Sequence, residues 1–299
     1  MKTLFDAYLI VDWSANNSPK LGKDSIWWCH MSWDDGTLVV NEIKNTSTRI
    51  ETIAQITEIL LGYKKSNKRV LLGFDFAYSY PAGFSQRLTG DSQPDWLATW
   101  QFLHSQITDS SRNKNNRYEV AAVINRELTG AAGPFWGCPD KRQSNHLSKC
   151  KPKDLGLKLF NEYRIVEQGT AAHSVWKLYY PGSVGSQVLM GLPYLYALRT
   201  DASLSEVSRV WPFETGLKLI TEEDLAGVNV LHAEIFPSLV SVNSQQGEIK
   251  DKLQVCAVAN QFADLDHCGD LGSMFAGGRE LTVTERQIVE SEEGWILGV

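Results

Sequence analysis

Val70-Leu-Leu-Gly-Phe-Asp-Phe-Ala77 is the stretch on which the reading of this chain turns. It is bounded by Lys68-Arg69 before and Tyr80-Pro-Ala-Gly83 after, and carries a single charge. A continuous apolar run of this kind suits a strand covered on both faces, as in a parallel sheet. Asp75 is the anomaly within it. A carboxylate near the end of a covered strand is poorly solvated, so it must be paired, hydrogen-bonded or metal-bound.

Working outward from that run, residues 7–13 read as another covered strand, ending in Asp12 and a turn-like Ser14-Ala-Asn-Asn-Ser-Pro19. Residues 25–33 form an aromatic-rich strand, Asp34-Asp-Gly36 signals a hairpin turn, and residues 37–43 return as its partner. Residues 49–64 carry Ile50, Ile53, Ile56, Ile59 and Leu60 at helical spacing, with Ser47 or Thr48 as the cap. The order is therefore β-β-β-α-β, a hairpin unit followed by a crossover into a parallel strand. Beyond it the pattern loosens. A helix is expected over 94–107 with Trp96, Trp100 and Leu103 on one face, a polar loop over 110–117, irregular chain over 130–153, and a helix over 185–198. Strands are expected again at 206–211 and 229–236, then a helix at 249–265 and a short one within 282–299. The expected fold class is α/β: a mixed sheet flanked by helices in one domain. Its core comprises 1–84 and 206–299, and 85–205 forms a long inserted helical and irregular lobe or lid.

Composition narrows the function classes. Of 299 residues, 43% are hydrophobic and 21% charged, which describes a globular chain with a sizeable core. The charge balance of 29 minus 35, or -6, argues against non-specific duplex binding by the whole surface. Five cysteines without a CxxC pair, an acidic residue where a signal peptide would be apolar, and no run near the roughly eighteen residues of a membrane span point to a reduced cytoplasmic protein.

Asp12, Asp75 and Glu234 stand at or near the ends of apolar strands, and Asp251 falls in a first helical turn on the stripe of Val255, Val258 and Phe262. Singly, each has a local explanation: Asp251 favours the helix dipole, Asp12 caps the turn after it, and Glu234 bonds locally ahead of Pro237. As a set converging on one end of a sheet, four carboxylates repel and cannot all ionise without cations. Oxygen-only ligands suit Mg²⁺ or Mn²⁺, and two such ions about 4 Å apart activate water and stabilise the leaving oxygen of a phosphodiester.

The order β-β-β-α-β, with Asp12 on the first strand, Asp75 on the fourth and Asp251 on a late helix, resembles the ribonuclease H-like fold. More narrowly, Val-Asp-Trp-Ser-Ala, Gly-Phe-Asp-Phe-Ala-Tyr-Ser-Tyr-Pro-Ala-Gly, Ala-Glu-Ile-Phe-Pro-Ser and Lys-Asp-Lys-Leu-Gln-Val-Cys-Ala resemble a family of predicted nucleases known as domain of unknown function 429. The resemblance lies in roughly the first 85 and last 90 residues, and implies that Asp12, Asp75, Glu234 and Asp251 are catalytic metal ligands. Gln254 departs from it, standing where such families often carry a second acid three positions after the helix aspartate.

The expected activity is thus a metal-dependent phosphodiester hydrolase acting on nucleic acid or a nucleotide, with two Mg²⁺ or Mn²⁺ ions. The alternative is a non-catalytic nucleotide or nucleic-acid sensor on the same fold. A third reading, an actin-like ATP-handling enzyme, lacks a second Asp-Gly phosphate loop. For substrate binding, Lys177, Gly182, Ser183 and Gly185 precede a helix whose N–H groups could hold a phosphate, and Arg164 could face a phosphate or pair with Glu167. Cys138, His146 and Cys150, with Asp140, are a weak zinc set. Trp96, Trp100, Trp136 and Trp176, with Lys149, Lys151 and Lys153, offer a single-strand groove or simply core. Glu214 is a minor site candidate.

Overall fold

The computed structural model describes residues 3–93, 95–153, 159–168, 172–243 and 247–299. Six strands form one mixed sheet: β1 (Ala7–Asp12), β2 (Ile26–Asp34), β3 (Thr37–Thr46), β4 (Val70–Phe74), β5 (Ser208–Val210) and β6 (Val230–Glu234), in the order β3-β2-β1-β4-β6-β5. The β1–β2–β3 meander is antiparallel, whereas β4, β6 and β5 join β1 in parallel. The crossover from β3 to β4 is α1 (Arg49–Lys65), whose first turn is capped by the Thr48 hydroxyl accepting from the Glu51 N–H.

Alternation along the central strands divides the core in two. Leu9, Val11, Leu72 and Phe74 face one layer, which holds α1, α3 (Trp96–Gln106), α4 (Arg117–Thr129) and α5 (Gly185–Thr200). Tyr8, Ile10, Leu71 and Ala233 face the other, built mainly on Val255, Val258 and Phe262 of α6 (Lys250–Cys268). The segment read as an inserted lid is therefore a structural layer. Trp100, Leu189 and Leu192 are fully buried against the sheet. Pro94, the expected start of α3, lies outside the described residues. The short helices α2 (Phe84–Thr89), α7 (Leu271–Met274) and α8 (Val283–Ile288) complete the fold. Helix α4 is absent from the sequence reading, although Tyr118, Ala121 and Ile124 carry a helical stripe that the structure buries.

Gly73 makes the middle of β4 possible. A Cβ there would lie 2.7 Å from Ile235 Cγ2 and 3.1 Å from Ile10 Cδ1, both packed in the core. Gly73→Ala is expected to cost about 1–3 kcal/mol through overpacking, measured by urea unfolding. An unchanged midpoint would contradict this packing.

His232 on β6 is fully buried, with Nε2 2.7 Å from the Ser208 hydroxyl. Burial lowers its pKa to about 3, so the folded state holds it neutral. Its contribution to stability is complete above the unfolded value near 6.5 and is lost as pH falls toward 3. His232→Gln, which keeps a group for Ser208, is expected to remove about 3 kcal/mol of the acid loss between pH 6.5 and 4. Superimposable stability–pH curves for the two proteins would refute the assignment.

Candidate functional site

The carboxylates meet where the parallel strands end. In the β1–β4 register Val11 pairs with Phe74, and the Asp75 N–H continues the ladder to the Val11 carbonyl at 3.2 Å. Asp12 and Asp75 therefore follow side by side on the α6 face of the sheet, and α6 begins beside them with Asp251. All three are half-buried. Asp75 Oδ1 accepts the Trp13 N–H at 2.6 Å, and its carboxyl shares a hydrogen bond with that of Asp12. Asp251 Oδ2 accepts the Asp24 N–H at 2.8 Å, which ties the β1–β2 connection to α6. Asp24, not singled out in the sequence, thus adds a fourth carboxylate to the rim.

Burial, opposed only in part by hydrogen bonds, pushes the Asp75 carboxyl up to about 7. That of Asp12 is driven well above the ordinary range by burial and by the charges of Asp75, Asp251 and Asp24. The proton shared between Asp12 and Asp75 is what this crowding requires when no cation pairs with either among the described residues. The donor set is all oxygen, hard and over-charged, which fits Mg²⁺ or Mn²⁺. Among the described residues, no three His, Cys, Asp or Glu side chains are closed around one point. Asp12 and Asp75 are bonded to each other, and Asp75 and Asp251 each accept a backbone N–H.

Glu234 is not part of this cluster. It pairs in register with Phe74, so its side chain leaves the sheet on the face opposite Asp75. There both its oxygens are held by Arg164, at 2.7 Å from Nη1 and 2.6 Å from Nη2, and Oε2 also accepts the Tyr78 N–H at 2.8 Å. The expectation of Glu234 as a metal ligand is corrected accordingly. So is that of Arg164 as a phosphate ligand, since it is 1% exposed and also bonds Glu167. Burial opposes its charge, but Glu167 and Glu234 outweigh that and hold its pKa above the ordinary arginine value.

Over the carboxylates lies a cleft of about 710 Å³. It is lined by Asp12 and Asp251, by Lys20 and Asp24 from the β1–β2 connection, and by Arg117, Tyr179, Tyr180 and Ser186. Of the expected substrate residues, Gly182 and Ser183 line the cleft. Lys177 instead donates to the Pro181 carbonyl at 2.6 Å and covers the Trp136 ring. Gly185 serves packing. A Cβ there would sit 2.1 Å from the Val175 carbonyl, and its N–H is bonded to Lys177 O.

The remaining candidates disperse. Cys138 is buried, with its thiol 3.8 Å from the Leu147 carbonyl, whereas Cys150 is exposed. Trp96, Trp100 and Trp176 are core, and Lys149 and Lys151 pair with Asp140 and Glu162. Glu214 pairs with Arg199 at a corner.

No protein-family model matches the chain, and neither the curated proteins nor the solved structures contain a match to it. Among the described residues, no helix is long and apolar enough to cross a membrane.

Proposed function

We propose that the protein is a divalent-metal-dependent phosphodiester hydrolase with a ribonuclease H-like fold, akin to the predicted nucleases of domain of unknown function 429. One observation carries the reading. Asp12 and Asp75 from adjacent parallel strand ends and Asp251 from the start of α6 crowd together beneath an open cleft, with a charge excess that no protein cation balances among the described residues. The strand order, an antiparallel meander continued by parallel strands through a helical crossover, supports the fold assignment.

Asp12, Asp75 and Asp251, with Asp24 at the rim, would hold Mg²⁺ or Mn²⁺, two ions being the expected number. The bound metal would acidify water and neutralise a phosphate. The chain's own contributions are separable from that. The Trp13 N–H fixes the Asp75 carboxylate, the Asp24 N–H fixes that of Asp251, and the cleft walls orient the substrate. The test is cleavage of a single-stranded oligonucleotide and of a dinucleotide by the purified chain, with Mn²⁺ and with chelator. Turnover is expected with metal alone; none of either substrate at millimolar Mn²⁺ would sink the reading.

A non-catalytic nucleotide or nucleic-acid sensor is the second reading. Two observations favour it: Asp12 and Asp75 satisfy each other, and Gln254, buried on α6, supplies no further acid. Substrate binding without Mn²⁺ binding in calorimetry would select it.

A further inference from the structure

Among the described residues, Arg117 is a cation without a counter-ion. It is 5% exposed, yet every one of its bonded partners is neutral: Ser186 Oγ accepts from Nε at 2.8 Å, Asn17 Oδ1 and Asn115 Oδ1 accept from Nη1 at 2.6 and 2.9 Å, and the Tyr118 hydroxyl accepts from Nη2 at 3.1 Å. Its guanidinium also lies over the Tyr118 ring, 4.4 Å from the centroid. The contrast with its neighbour Arg49 is direct. Arg49 holds the Ser14 and Asn16 carbonyls of the same β1–β2 connection, but does so while forked onto Asp109, at 2.5 and 2.8 Å. A buried charge without an opposite charge is costly, and it is kept where a ligand anion completes it. Arg117 lines the same cleft as Asp12 and Asp251.

The cleft also carries two aromatic rings in water. Tyr179 and Tyr180 are 41% and 38% exposed, their centroids 4.8 Å apart, in a molecule whose aromatic side chains are mostly core. Tyr180 holds a φ of 74°, which a bulky residue adopts only when its surroundings impose it, and strain of this kind concentrates at ligand sites. The turn is fixed by the Ser183 N–H bonding to the Tyr180 carbonyl at 3.0 Å.

We infer that this cleft recognises a nucleoside 5′-phosphate unit. Arg117 takes the phosphate, with Lys20, which also pairs with Asp24 at 3.6 Å, lining the same cleft, and the Tyr179–Tyr180 pair stacks the base. Four of the five Arg117 N–H donors are already bonded, so the phosphate takes the remaining Nη2 N–H and the charge, and a tyrosine face accepts any base. A cleft of about 710 Å³ has the size of a small-ligand site, which fits a nucleotide free or within a single strand and not a duplex. The inference deepens the hydrolase reading, from which it takes only the direction in which the phosphate points.

The test is calorimetric titration of the full chain in EDTA with four probes: thymidine 5′-monophosphate, a thymidine hexanucleotide, an abasic deoxyribose-phosphate hexamer and inorganic phosphate. The two base-bearing probes are expected to saturate, and the other two to bind at least about tenfold more weakly. Tyr179→Ala, an exposed position whose loss leaves the core intact, is expected to weaken the base-bearing probes about tenfold and leave phosphate unchanged. Arg117→Lys is expected to weaken all four. Comparison of monophosphate with hexamer separates a free nucleotide from a strand. Equal affinity for abasic and base-bearing hexamers, an unaltered Tyr179→Ala, or no saturation by either base-bearing probe overturns the inference. Selective binding in EDTA with no cleavage at any Mn²⁺ concentration would remove the hydrolase reading and leave the recognition standing. Metal-dependent cleavage with an unchanged KM in Tyr179→Ala would do the reverse.

Discussion

Asp75→Asn is expected to abolish metal-dependent cleavage, by at least about a thousandfold or ~4 kcal/mol in activation free energy, while the fold survives. The asparagine oxygen can still accept the Trp13 N–H that Asp75 Oδ1 holds at 2.6 Å, so the strand end keeps its geometry. What disappears is a negative charge that burial already disfavours, as its pKa near 7 records. Folding stability should therefore hold or rise slightly, and Mn²⁺ affinity, measured by calorimetry, should collapse. The variant dissociates two roles that a destabilised protein would confound. Unchanged turnover in a folded Asp75→Asn protein would end the hydrolase proposal.

Arg164→Met is expected to be the most damaging single change to stability, at about 3–5 kcal/mol and a fall in Tm on the order of 10 °C. Among the described residues, Arg164 is a cation set within a buried acidic cluster. It is forked onto Glu234, bonds Glu167, and donates to the Glu293 carbonyl at 3.0 Å, while Glu293 Oε2 accepts the Ile165 N–H. Removing it leaves Glu234 enclosed without the charge that opposes it. Glu293 also reaches the Ala82 N–H at 2.7 Å, and its neighbour Glu292 those of Gly83 and Ser85, so the segment after β4 is fastened by the same cluster. The double change Arg164→Met with Glu234→Gln should cost less than the sum of the two, because it removes both members of the pair. Mn²⁺ binding separates this account from a metal-ligand role for Glu234. In a folded Glu234→Gln protein it should equal that of the unaltered chain, and its loss with stability unchanged would return Glu234 to the metal site.

These two residues mark what the chain's residues could reveal. Asp12, Asp75 and Asp251 were legible because each interrupts an apolar pattern at the end of a strand or the start of a helix, where an unpaired carboxylate has no cheap explanation. The same rule selected Glu234, and wrongly. A strand alternates faces at every residue, so one position of register decides whether a carboxylate points toward α6 or toward the opposite layer. Helix α4 was missed because its stripe follows a polar loop, and Arg117 was hidden with it: an arginine at the end of such a loop looks like an ordinary solvated charge.

By itself the sequence determined the strand order along the chain, the hairpin, the crossover helix and the three aspartates, since periodicity and burial cost are local properties. Only the tertiary structure decided the pairing of Phe74 with Glu234, the capture of Glu234 by Arg164 from seventy residues away, and the placing of Arg117 and Tyr179 in one cleft with Asp12. Those depend on which chain segments lie side by side, and electrostatic pairing acts through space without regard to sequence distance.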